Sequence, residues 1–208
     1  NGIGDPGVTR FRRHFLFLKP DVIVVYDELE AREPVAWTWL LHSHNRMARA
    51  GENAVAASNG VAEGRMELFT SGELTLNLTD RFFSPAINWK KRTGPDGRVQ
   101  EYVNHWHAEF TTAVKSRAQR FLAVFRITPE GRKPLALKGG AKGRVTVRGW
   151  SVSPELDASK PASLSVTDRR SNAVLYNTPA SETAGSTVVR RRGEPARELV
   201  DVVPASVR

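Results

Sequence analysis

The architecture turns on the stretch "TRFRRHFLFLKPDVIVVYDELEAREPVAWTWLLHSH", Thr9 to His44. Its first part alternates with period two, placing Phe11, Phe15 and Phe17 on one face of a strand and Arg10, Arg12 and His14 on the other. Lys19-Pro20-Asp21 predicts a turn, because proline presets the bend and an aspartate can bond its own backbone. "DVIVVYDELEA" then resumes as a strand, being dominated by β-branched and aromatic residues. "REP" (Arg32–Pro34) predicts a second turn and "VAWTWLLHSH" a third strand. The opening is therefore an antiparallel meander of three strands.

The same reading extends along the chain. Short strands are predicted at "NAVAAS", "RMELFT", "ELTLNLT", "VNHWHAEFTTAV", "QRFLAVFRIT", "KPLALK", "GRVTVRGWSV", "SLSVTD", "NAVLYN", "STVVRR" and "ELVDVVP". They are separated by turn-forming segments such as "GEN", "SNG", "GPDG" and "KGGAKG". No stretch carries a 3.6-residue apolar period over a useful length, and there is no internal repeat. Thr79–Gly97, containing "FFSPAINWKKRTGPDG", predicts a long loop, and such loops in compact domains are usually functional or disordered. The expected fold class is all-β: a large antiparallel β-sandwich forming one domain over 1–208. Residues 160–208 would be its sheet edge or a small appended subdomain.

The 208 residues are 40% hydrophobic, enough for a sizeable core. There are no cysteines, which excludes disulfides and thiolate metal sites. No apolar run approaches the roughly 20 residues of a membrane-spanning helix. A net charge of +9 favours anionic partners such as nucleic acid, acidic polysaccharide or a membrane face. Nucleic acid is disfavoured, since the aromatic residues fall in predicted core strands instead of among the basic runs. The chain opens at Asn1 in mid-pattern, which reads as a piece of a longer protein.

Four of the five histidines lie in two His-x-His pairs. Residues i and i+2 of a strand share a face. His42 and His44 therefore align with Thr38 and Leu40, opposite Trp37, Trp39 and Leu41. His105, His107, Glu109 and Thr111 align likewise, opposite Trp106, Ala108 and Phe110. The aromatic faces are the better core candidates, so the imidazoles should look outward to solvent or a groove. His105, His107 and Glu109 could also form a two-histidine, one-carboxylate metal set. A cupin is a poor match, because its later glutamate and flanking glycines are missing. Asp27 is either an orienting or metal carboxylate or the partner of Arg12 or Arg13 across the first hairpin, and the pairing is the simpler reading. Within the long loop, Trp89 could stack on a sugar ring while Lys90, Lys91 and Arg92 hold an acid group. Nucleophile elbows, phosphate loops and dinucleotide fingerprints are absent.

"RRHFLFLKPDVIVVYDELEAREPVAWTWLLHS" resembles the C-terminal β-sandwich of heparinase II/III-type polysaccharide lyases. There an Arg-bearing strand, an apolar run ending in Asp and a strand ending near a His recur in this order. "NHWHAEFTT" followed by "QRFLAVF" is similar to later strands of those sandwiches, so the likeness spans about the first 130 residues. The resemblance implies a fragment of a toroid-plus-sandwich (supersandwich-like) lyase that cleaves acidic, uronate-containing glycans by β-elimination. It implies as partners an acidic polysaccharide and an N-terminal α/α toroid of the same protein. The catalytic residues, and the ligands of the structural divalent metal such as zinc that the family often carries, are then expected upstream of Asn1. Location would be periplasmic or secreted. Under this reading His42, His44, Trp89, Lys90, Arg92, His105 and His107 are the candidate substrate-binding residues, with no metal ligands among them. Two alternatives stand beside it: a non-catalytic carbohydrate-binding sandwich module using the basic loop, and a metal-dependent β-sandwich enzyme built on His105, His107 and Glu109.

Overall fold

The computed structural model describes residues 7–81, 92–93, 95–100, 105–140, 143–170, 173–177, 186–189, 194–195 and 197–200. In chain order the strands are β1 (Val8–Leu18), β2 (Val22–Val35), β3 (Thr38–Ser43), β4 (Met47–Gly51), β5 (Ala54–Ser58), β6 (Ala62–Phe69), β7 (Leu74–Thr79), β8 (Arg92–Thr93) and β9 (Val99–Gln100). They continue with β10 (Trp106–Thr112), β11 (Ser116–Pro129), β12 (Leu137–Gly139), β13 (Val145–Val147), β14 (Trp150–Pro154), β15 (Leu164–Asp168), β16 (Ala173–Asn177), β17 (Ser186–Val189) and β18 (Arg197–Val200). No helix occurs among the described residues, so none there is long and apolar enough to cross a membrane.

All pairings are antiparallel. A six-stranded sheet runs β1-β2-β11-β6-β5-β4, a three-stranded sheet β3-β10-β7, and a seven-stranded sheet β12 through β18 in sequence order. Strands β8 and β9 form a separate two-stranded ribbon. The six-stranded sheet is the middle layer. Alternate residues of a strand point to opposite faces, and in β2 and β11 both sets are apolar. Val25, Leu29, Phe121 and Ala123 pack with Trp39, Leu76, Ala108 and Phe110 of the three-stranded sheet. Val22, Val24, Tyr26, Leu122 and Val124 pack with Val145, Val152, Leu164 and Val166 of the seven-stranded sheet. The unbroken "VIVVY" run is thus a strand with no wet face, and its five residues are at most half exposed.

Polar groups bind the layers as well. The buried Arg120 guanidinium donates to the carbonyls of Asp157 (2.8 Å) and Lys160 (2.5 Å), gripping the segment after β14. Tyr26 donates its hydroxyl to the Glu155 carbonyl at 2.7 Å. Burial holds that phenol well above its ordinary pKa, with smaller opposing and reinforcing effects from Arg120 and Glu28.

The structure departs from the sequence expectations at four places. "REP" is no turn: β2 runs on to Val35, and Pro34 is accommodated where the β2–β11 register is irregular, between Ser116 and Ala118. The chain then crosses to the three-stranded sheet, with Trp37 and Thr112 bonded twice at 3.0 and 2.9 Å. Second, "GRVTVRGWSV" is two strands, β13 and β14. Arg148 and Gly149 take the left-handed φ values of 48° and 97° that a tight two-residue hairpin turn needs. Third, β4 had no alternating signal, yet its Met47 enters the core. Fourth, the aromatic face of β1 looks out: Phe11, Phe15 and Phe17 are 66%, 65% and 50% exposed. Strand β1 lies at the sheet edge, beyond the cover of the narrower three-stranded layer.

These placements give the aromatic residues unequal weight. Phe110→Ala should cost about 3–5 kcal/mol by opening the first core. Phe15→Ala should change stability by no more than about 0.5 kcal/mol. Urea denaturation of the two variants distinguishes them, and equal losses would mean that β1 is covered.

Candidate functional site

The outer face of the three-stranded sheet carries the histidines. Register places His107 opposite His42 and Glu109 opposite Leu40 on β3. On the other side β10 sets His107 against Thr79 and Glu109 against Asn77 of β7. The opposite face holds Trp39, Leu76, Ala108 and Phe110 in the core, so the imidazoles do lie on the non-core side. His42, His44 and His105 are exposed. His107 is not: it is 2% exposed, because β10 is the middle strand and its face is flanked on both sides.

The close imidazole pairs run between strands, not along them. Same-strand i and i+2 residues stand about 7 Å apart. Across the strands, the His42 and His107 ring centroids are 4.4 Å apart and those of His44 and His105 are 4.0 Å apart. The set of His105, His107 and Glu109 does not close around a common point. Glu109 instead accepts a 2.9 Å hydrogen bond from the Asn77 amide. Among the described residues no three His, Asp or Glu side chains are grouped to hold a metal ion. Thr38 and Thr111 share a 2.9 Å hydroxyl bond at the far end of the face. Asn77 and Thr79 were not singled out from the sequence, although the alternation of "LTLNLT" already puts them opposite Leu76 and Leu78.

Burial shapes the titration of His107. Desolvation and then His42 lower its pKa, Glu109 acts in the opposite sense, and His105 adds a smaller lowering. His107 is thus easier to hold as a neutral imidazole, able to accept or donate a hydrogen bond.

Two further polar clusters are built into the middle sheet. Asp27, 1% exposed, accepts from Arg13 Nε at 2.6 Å and Nη2 at 2.8 Å, and from Trp39 Nε1 at 2.8 Å. Arg13 is its register partner, whereas Arg12 has the opposite parity and faces away. The carboxylate is therefore a tie between β1, β2 and β3. On the other face, His14 Nε2 lies 2.8 Å from Glu28, and Arg10 lies 3.7 Å from the same carboxylate. Burial would raise the Glu28 pKa, but the His14 bond and the charges of His14, Arg12 and Arg10 prevail and lower it.

A cleft of about 310 Å³ opens beside the end of β3, where Leu41 and His42 meet Met47, Val55, Met66 and Phe125. Trp89 and Lys90 lie outside the described residues. Arg92 stands in β8 opposite Gln100, in the separate ribbon. The structure therefore brings together His42, His44, His105 and His107.

The chain matches no protein-family model and no curated protein.

The His107 environment has a measurable pH signature. A folded-state pKa below the usual value of about 6.5 means that the unfolded chain binds more protons in that window. Stability from this group is complete above about pH 6.5 and declines as pH falls towards the lowered value. Thermal denaturation from about pH 7 to about pH 5 should show His107→Gln with a shallower decline than the native chain. Parallel profiles would remove the linkage.

Proposed function

We propose that this chain is the C-terminal β-sandwich of a polysaccharide lyase acting on acidic, uronate-containing glycans outside the cytoplasm. Its role is to support an N-terminal α/α toroid and to line part of the substrate cleft. The observation that supports this best is the outer face of β3, β10 and β7, where His42, His44, His105, Glu109, Asn77 and Thr79 share one surface. Imidazole, amide, carboxylate and hydroxyl groups in rows about 4.8 Å apart suit the hydroxyls of a sugar chain. The net charge of +9 would draw a polyanion to it. The uncovered Phe11, Phe15 and Phe17 offer an apolar surface against which another domain could pack.

β-Elimination requires a base at C5 of the uronate, neutralisation of its carboxylate, and departure of the 4-linked sugar. Tyr26 is unsuited to be that base, since its hydroxyl is buried and donates to the Glu155 carbonyl. The proton transfer then falls to the toroid, and to this chain the positioning of glycan.

Affinity electrophoresis through gels containing heparin, chondroitin sulfate or alginate tests the binding role. At least one glycan should retard the chain, and joint substitution of His42, His44 and His105 by alanine should weaken retardation several-fold with the fold intact. Unchanged retardation would remove the histidine face from the cleft. An ultraviolet assay for unsaturated uronate should give product with the toroid-containing protein and none with this chain. Product from this chain would place a complete active site within it.

A further inference from the structure

We infer that His44 and His105 form a two-coordinate site for a divalent transition-metal ion on the outer face of the three-stranded sheet. The inference does not rest on glycan recognition. It starts from register: extending the His107–His42 pairing by two residues puts His105 opposite His44. Their rings are 4.0 Å apart, closer than the His42–His107 pair. They are inclined at 60°, so they are not locked in a parallel stack. Both residues are exposed. Ring rotation from such a separation can bring one nitrogen of each to the 2.0–2.1 Å at which imidazole binds zinc.

The two strands supply the preorganisation. β3 and β10 are held by the continuous ladder from Trp106–Ser43 to Thr111–Thr38. Their inner side chains Trp39, Ala108 and Phe110 are buried in the core. His44 and His105 each stand one residue beyond the last pair of this ladder, which holds their backbones near each other. Nearby, the Arg46 guanidinium is drawn over the Trp106 ring at 5.8 Å, occupied on the opposite face of β10 from His105.

Because no third His, Asp or Glu is grouped with them among the described residues, the site is open. Two protein nitrogens leave at least two positions of a tetrahedral ion for water or an added oxygen ligand. Borderline ions that favour imidazole are the class it should take, Cu²⁺ more tightly than Zn²⁺. Calcium and magnesium, which require oxygen ligands, should not bind. The nitrogens must be unprotonated, so uptake should release protons and weaken in acid.

The test is titration of the tag-free chain with Cu²⁺ or Zn²⁺ alone, followed by calorimetry. One ion per chain is expected, and His44→Ala or His105→Ala should each weaken binding by about tenfold or more. In the native chain, Cu²⁺ should selectively broaden the imidazole proton signals of His44 and His105 and spare His14, a measurement that needs no variant. Absence of uptake would overturn the inference. So would uptake undiminished in the folded double variant, or broadening centred on another residue. Metal binding with no glycan retardation would leave the site standing and defeat only the cleft-lining role.

Discussion

The middle sheet has no free face over β2 and β11, and the rest of the structure follows from that constraint. The polar side chains in the buried middle of those strands have to be matched internally, because burying an unpaired charge is far more costly than burying a paired one. Asp27 is matched by Arg13 and Trp39, and Glu28 by His14 and Arg10. Arg120 is matched by the carbonyls after β14, and Arg126 by Glu67 and the Leu135 carbonyl. The Arg126–Glu67 and Arg120 matches also join elements that sequence order leaves apart. The tie from Asp27 to Trp39 fixes where β3 crosses the middle layer. The tie from Arg120 fixes where the segment after β14 returns to it.

Function is pushed outward by the same arrangement. With both faces of the middle sheet given to cores, the surfaces left for a partner are the outer faces of the flanking sheets and the uncovered edge strand. The outer face of β3-β10-β7 is polar and carries the histidine pairs. The outer side of β1 is aromatic and open. These are different surfaces with different chemistry, one suited to hydroxyl-rich or metal ligands and the other to an apolar body.

Much of this was legible in the sequence wherever period two was clean. The alternation in β3 and β10 sorted the histidines from the tryptophans correctly, and "QRFLAVFRIT" gave the middle of β11, which runs further, over Ser116–Pro129. What was not legible depended on which strand ended beside which. "TRFRRHFLFL" alternates as well as any core strand, and nothing in it says that the neighbouring layer stops short of Phe11 and Phe15. The unbroken "VIVVY" read as a strand, without saying that two separate cores shared it. "VRG" is a hairpin turn only because Arg148 accepts a left-handed conformation, and Pro34 is not a breaker because β11 is irregular opposite it. The cross-strand histidine pairs needed the register of two strands more than sixty residues apart, which no local pattern contains.

Native-state hydrogen exchange tests the central claim, that one sheet serves two cores, most directly. The amides of Val24, Val25, Ala123 and Val124 should be among the slowest in the chain and should exchange only on global unfolding. Amides at the open edge of β1 should exchange much sooner. Fast exchange in the centre of β2 or β11, at rates like those of β1, would contradict a middle layer covered on both sides.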